Sequence, residues 1–201
     1  MKKSITQSLK RSALAIYIGL GFAVSAQAGL VGVKTIEVSN AIGTWLQVAE
    51  VQAFNTASLN VARDVNGAVA SAPDTWEAAS SPAQAIDGNT AGNHPNIFHE
   101  GSDFSHDTLT ITLAAIEELN SFSIWGRTDC CSDRDIYSVV FKDSQGATLF
   151  TATGLDATGT NHVAGLAFPN AQAVPEPTTV ALLGLGLLGI AGMRRRTIRK
   201  D

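Results

Sequence analysis

Residues 108–113, Thr-Leu-Thr-Ile-Thr-Leu, put every apolar side chain on one face and every hydroxyl on the other. A period of two marks a half-buried β-strand, because successive side chains of a strand point to opposite faces. Shorter segments repeat the theme. Phe122 and Ile124 alternate with Ser121 and Ser123, and Ile136 to Phe141 is β-branched and aromatic. Asp143-Ser144-Gln145-Gly146 reads as a turn into Thr148-Leu149-Phe150-Thr151. Trp45 to Phe54 reads as one more strand with Leu46, Val48 and Phe54 on one face, interrupted there by Glu50. Short strands separated by Gly, Asn, Asp and Ser predict an all-β domain, a jelly-roll β-sandwich. Ala114 to Asn120 has helix-friendly composition and is expected to be a connection of about one turn. Asn66 to Pro82 is rich in small residues and is expected to be a long surface loop.

The two ends differ from the middle. Lys2, Lys3, Lys10 and Arg11 precede an apolar run from Ala13 to Val24, and Ala26-Gln27-Ala28 supplies a small-x-small cleavage pattern. Residues 1–28 are therefore expected to be a secretory signal, with an apolar helix too short to span a bilayer. Export places any cysteine in an oxidising compartment. At the other end Val174-Pro175-Glu176-Pro177 leads into an apolar Gly/Leu-rich stretch from Val180 to Met193, closed by Arg194-Arg195-Arg196, Arg199 and Lys200. Physically this is a helix-refusing Pro-Glu-Pro element, a short membrane helix and a positive stop that stays cytoplasmic. Residues 174–201 resemble the PEP-CTERM sorting tail of Gram-negative bacteria. The resemblance implies recognition through Pro175, Glu176 and Pro177 by an exosortase, and transient inner-membrane anchoring. It also implies delivery to the cell surface, outer membrane or extracellular matrix.

Removing both ends exposes the charge of the domain between them. Residues 29–173 keep only Lys34, Arg63, Arg127, Arg134 and Lys142 against 16 acids, a net of −11. Such a domain is a poor partner for nucleic acid. Its length is that of one domain with a real core.

Two of those five basic residues fall within eight positions: Arg127-Thr128-Asp129-Cys130-Cys131-Ser132-Asp133-Arg134. The same stretch holds both cysteines, side by side. Most disulfides join Cα atoms about 4.4–6.8 Å apart, whereas chain neighbours lie only ~3.8 Å apart. A Cys130-Cys131 bridge closes a minimal ring and stabilises the fold little by loop entropy. It stiffens its loop and offers a polarisable surface to an apolar partner. Export and the lack of a third cysteine favour this ring over two buried thiols or intermolecular bridges. Guanidinium groups present rigid forks of donors suited to vicinal hydroxyls or carboxylates. The alternative is that Arg127 and Arg134 only pair with Asp129 and Asp133.

Arg127-x-Asp129-x4-Arg134 around Cys-Cys resembles the sugar-binding signature of F-type lectins, the fucolectin branch of the galactose-binding-like (F5/8 type C) superfamily. That family is a jelly-roll sandwich. The resemblance implies that Arg127, Arg134 and a histidine hydrogen-bond sugar hydroxyls, that Cys130 and Cys131 pack against the sugar, and that Asp129 is structural. The family's histidine follows an Ala-Ile-Asp-Gly-Asn element, here Ala85 to Asn89, which makes His99 the candidate, followed by His106 and His94. The same element implies a structural Ca2+ held by the carboxylates of Glu50 and Asp87 and by carbonyls of Ala49, Gln84 and Asn89. Hard cations take six to eight such oxygens. The Ala49-Glu50-Val51 segment precedes Asp87, while the family places its counterpart after the arginine motif, so the chain reads as circularly permuted. Thr108 to Leu113 stands where the family has a Trp-Trp-containing strand.

The leading expectation is an exported, non-catalytic carbohydrate-binding module for an extracellular glycan or exopolysaccharide, touching membrane only through its tail before processing. The alternative is a structural or adhesion matrix protein of the same fold that binds no sugar. Neighbouring acids such as Glu117-Glu118 or Asp133 and Asp135 do not supply the two opposed carboxyls of a glycosidase. Neither Gly-x-Ser-x-Gly nor His-Glu-x-x-His occurs.

Overall fold

The computed structural model describes residues 29–101 and 107–168. The signal segment, His106, and the sorting tail with Pro175, Glu176 and Pro177 lie outside the described residues. Nine strands run β1 (Leu30–Asn40), β2 (Gln47–Val48), β3 (Glu50–Asn55), β4 (Val69–Ser71), β5 (Phe98–His99), β6 (Leu109–Trp125), β7 (Ile136–Lys142), β8 (Thr148–Asp156) and β9 (Val163–Ala167). All strand pairs are antiparallel. Among the described residues the helical content is four short 3-10 turns. Among the described residues no helix is long and apolar enough to cross a membrane.

β6 organises the molecule. Its first half lies between β1 and β4, with Thr110 opposite both Glu37 and Ser71. Its second half lies between β3 and β9, with Phe122 opposite both Ala53 and Leu166. β1 continues outward to β7, and β7 to β8. The alternation read from the sequence holds here: Leu109, Ile111, Leu113, Phe122 and Ile124 are buried. They meet Ile36 and Val38 of β1 and Val139 and Phe141 of β7 in one apolar cluster. The rings of Phe122 and Phe141 cross edge-to-face at 5.3 Å, tying the second half of β6 to β7. The predicted turn is also present. The Asp143 carboxylate accepts from the amides of Gln145 and Ala147, and Gly146 takes the positive φ of 83° that the turn requires.

Three local expectations are corrected. Ala114 to Asn120 forms no helical turn and continues β6; pairing with β1 on one flank outweighs helix-friendly composition, and shifts in register absorb the irregularity. Trp45 to Phe54 is two strands rather than one. The chain bends at Ala49, whose amide donates to the Trp125 carbonyl, and the bend changes the phase of the alternation. As a result Val51 and Ala53 face the core from β3, and Phe54 is only half-buried. The stretch 66–82 is not purely loop, since it holds β4 and a 3-10 turn at Ala78–Ser80.

Candidate functional site

β2 and β5 form a two-stranded ribbon in which Gln47 faces His99 and Val48 faces Phe98. The ribbon sets His99 beside two tryptophans. Trp45 lies two residues before β2, and Trp76 is anchored by its amide, which donates to the His99 carbonyl at 2.9 Å. The three rings sit 5.5–5.6 Å apart in a triangle, with Trp45 and Trp76 edge-to-face. Trp76 keeps 57% of its surface exposed, while His99 is buried at 7%.

The arginine motif follows the end of β6. Gly126 is required there, because a Cβ would lie 2.3 Å from a carboxylate oxygen of Asp135. That carboxylate accepts from the Arg127 amide at 2.7 Å. Burial pushes its pKa up to about 7, against the pull of the hydrogen bond from Arg127. Thr128 ties the motif to the preceding loop, donating from its amide to the Gly92 carbonyl and from its hydroxyl to the Ala91 carbonyl. Asn40 of β1 donates to the Arg134 carbonyl at 2.7 Å. Two strand ends and a loop therefore fix both arginines before any ligand is considered.

Arg127 is held on both sides. Its Nε donates to Asp129 at 2.6 Å and its Nη1 to the Gln47 side-chain carbonyl at 3.0 Å. The same contact with Arg127 keeps the Asp129 carboxyl below the usual range. The pairing with an acid, the alternative reading of the sequence, is thus present for Arg127. For Arg134 no ion pair or side-chain hydrogen bond occurs among the described residues.

Trp45, Trp76, His94, His99, Arg127 and Arg134 line one concavity of about 310 Å³. The three polar residues singled out from the sequence, His99, Arg127 and Arg134, converge there. His94, read as the third candidate, also lines it, with its Nε2 3.3 Å from Glu77. His99 Nδ1 lies 2.8 Å from the Glu100 carbonyl. A carbonyl only accepts, so Nδ1 carries the proton and the other ring nitrogen is an acceptor. Burial lowers the His99 pKa, and Arg127, His94 and Arg134 push it the same way.

Cys130 and Cys131 form the expected vicinal disulfide, with Cα atoms 3.8 Å apart. They are not among the residues lining the concavity. Cys130 is exposed and Cys131 takes a left-handed conformation at φ 57°, which turns the chain into the 3-10 turn Ser132–Arg134. The ring shapes the loop that carries Arg134.

Glu50, of the expected calcium set, is the first residue of β3. Glu50 is fully buried; its Oε2 accepts from the Gly88 amide at 3.0 Å, and its Oε1 has no hydrogen-bond partner. Burial raises its pKa to about 8, and neighbouring Asp87 adds to the rise. Asp87 accepts from the Asn89 amide at 2.8 Å, and its carbonyl accepts from Arg63 at 2.7 Å. Gln84 sits one turn earlier, in the 3-10 turn Pro82–Ile86, and Ala49 is at the bend before Glu50. The structure thus brings Glu50 to the Asp87–Gly88 turn. Among the described residues no group of three His, Cys, Asp or Glu side chains is placed to hold a metal; the expected set has two carboxylates and relies on backbone oxygens for the rest.

Sequence reasoning missed Trp45, Trp76 and Gln47. The available signal was scarcity: the chain has three tryptophans, and Trp76 sits in a small-residue segment with no alternation to make it core.

The other end of the chain is decided by comparison with known families. Residues 173–196 match the PEP-CTERM protein-sorting motif. A PEP-CTERM motif marks an exported protein that exosortase machinery anchors and then processes at the cell envelope. No curated protein and no solved structure matches the chain.

Proposed function

We propose that this exosortase-sorted protein carries a non-catalytic carbohydrate-binding module of the galactose-binding-like, F-type lectin kind, in circularly permuted order, for display at the outer surface or matrix of a Gram-negative cell. The observation that carries the reading is the convergence of two indoles, one imidazole acceptor and two guanidinium donors on a single concavity. Indole faces accept the C–H face of a pyranose, while hydroxyls need both donors and acceptors at the rim. His99 supplies an acceptor, and Arg127 and Arg134 supply donors only. Asp129 and Gln47 hold Arg127 in one orientation, which lowers the entropy a sugar must take from it. Among the described residues the lining side chains include no carboxylate, whereas a glycosidase needs two across the scissile bond, so we assign the site no reaction. A structural Ca2+ fits Glu50, whose partnerless buried Oε1 faces burial without compensation, together with Asp87. Bound there, the ion would supply the positive charge that a buried carboxylate lacks.

The test is a glycan array followed by calorimetry on the full-length protein in mild detergent. Arg127→Ala and Trp76→Ala are each expected to weaken binding of the array's best glycan about tenfold or more, ~1.4 kcal/mol. Trp76 is exposed, so its removal leaves the core intact and separates lost binding from lost folding. Sugar binding unchanged in both variants would place the site elsewhere. An array with no bound glycan would favour the structural matrix reading.

A further inference from the structure

We propose that the saccharide held at this concavity carries a carboxylate, and that Arg134 is the group that selects it. The inference rests on the carbohydrate reading above and adds the charge of the ligand to it. Five basic side chains occur among the described residues, and four have partners. Lys34 donates to the carbonyls of Leu113 and Ala114, Arg63 to the carbonyl of Asp87, Lys142 to Glu37, and Arg127 to Asp129 and Gln47. Among the described residues the Arg134 side chain alone makes neither a hydrogen bond nor an ion pair. It is half-buried, in a domain where acids outnumber bases by 16 to 5. A permanently charged guanidinium in such surroundings ordinarily finds a carboxylate of its own chain.

The local charge balance points the same way. Arg127 is offset by Asp129, and His94 faces Glu77. His99 is neutral at physiological pH, and no carboxylate of the described residues lines the concavity. One uncompensated positive charge therefore remains at the rim, and it is Arg134's. A neutral sugar is already served by Arg127 as donor and His99 as acceptor. It leaves most of the five N–H donors of Arg134 unused. A carboxylate takes two of them in parallel and cancels the charge, with stronger bonds than a hydroxyl can make. Trp45 and Trp76 offer ring faces beside that charge, which points to an acid carried on a pyranose, a uronic acid, rather than to a free inorganic anion.

The experiment compares matched pairs by calorimetry on the full-length protein in detergent: methyl glucuronide against methyl glucoside, and methyl galacturonide against methyl galactoside. At least one acid is expected to bind about tenfold or more tightly than its neutral parent. That preference should shrink as sodium chloride rises, because the pair is only partly buried. Arg134→Gln keeps donors but removes the charge, and should erase the preference, bringing each acid and its neutral parent to within about threefold of one another. Neutral parents binding as well as their acids, or a preference that survives Arg134→Gln, would overturn the charge assignment and leave the carbohydrate reading standing. Absence of any bound glycan, acidic or neutral, on the array described above would overturn both.

Discussion

His99 makes the concavity more than a basic patch. Two arginines alone would offer only donors; the imidazole adds an acceptor because its Nδ1 proton is committed to the Glu100 carbonyl. Burial, with Arg127, His94 and Arg134 nearby, keeps the ring neutral to a pH below its ordinary value near 6.5. Protonation would convert the acceptor into a donor. Affinity for a neutral glycan is therefore expected to fall on acidification below about pH 6.5, as the ring passes through its lowered pKa, separately from any change near pH 7 where Asp135 takes up its proton. Calorimetry across pH 4.5–8 checks this, and affinity that holds constant to the acid end would remove the acceptor role from His99. Arg127 and Arg134 were legible because basic residues are scarce in residues 29–173 and these two bracket the cysteine pair; His99 was reached only through the resemblance to F-type lectins. Trp45, Trp76 and Gln47 were not legible. A tryptophan's rank as core or surface depends on folding, and Gln47's value depends on Arg127, 80 positions away.

At the scale of elements, the arginine loop is positioned by what it touches rather than by its disulfide alone. Gly126 is the tightest point, with the Asp135 carboxylate occupying the space of a side chain. Gly126→Ala must displace Asp135 and with it the hydrogen bond to the Arg127 amide. We expect a loss of about 1–3 kcal/mol in stability, accompanied by weaker glycan binding. Gly159→Ala is the control, since nothing lies within 4 Å of its Cβ position, and should stay within about 0.5 kcal/mol of wild type. Urea midpoints for the two variants decide it; equal midpoints would mean that the loop yields without cost. The strands of strict alternation, 108–113 and 121–124, were readable because one face of each is buried in the core and the other is not. The second half of the connection at Ala114 to Asn120 and the break at Ala49 were not. Both depend on partners distant in sequence, β1 for the former and the Trp125 carbonyl for the latter. Local composition cannot carry that information.

For the whole molecule, the question is what holds the start of β3 to the turn after Pro82–Ile86, on which the ribbon bearing His99 is built. Glu50 reaches across, but one of its oxygens meets the Gly88 amide and the other meets nothing. A buried carboxylate with half its valence unmet favours the neutral acid, which accounts for a pKa near 8. Bound Ca2+ would reverse that balance. It would need the ionised form and bind only the folded chain, and so would stabilise by mass action, about 2.7 kcal/mol at a hundredfold excess over its Kd. The melting temperature of the full-length protein at pH 7.5 is expected to rise by several degrees with millimolar Ca2+ and to return on chelation. Glu50→Gln should abolish the Ca2+ response. It should also leave the calcium-free protein as stable as wild type or more so, because the amide removes a carboxylate that burial disfavours. A calcium-insensitive melting temperature in the wild type would show that Arg63, already bonded to the Asp87 carbonyl, supplies the only positive charge the turn uses.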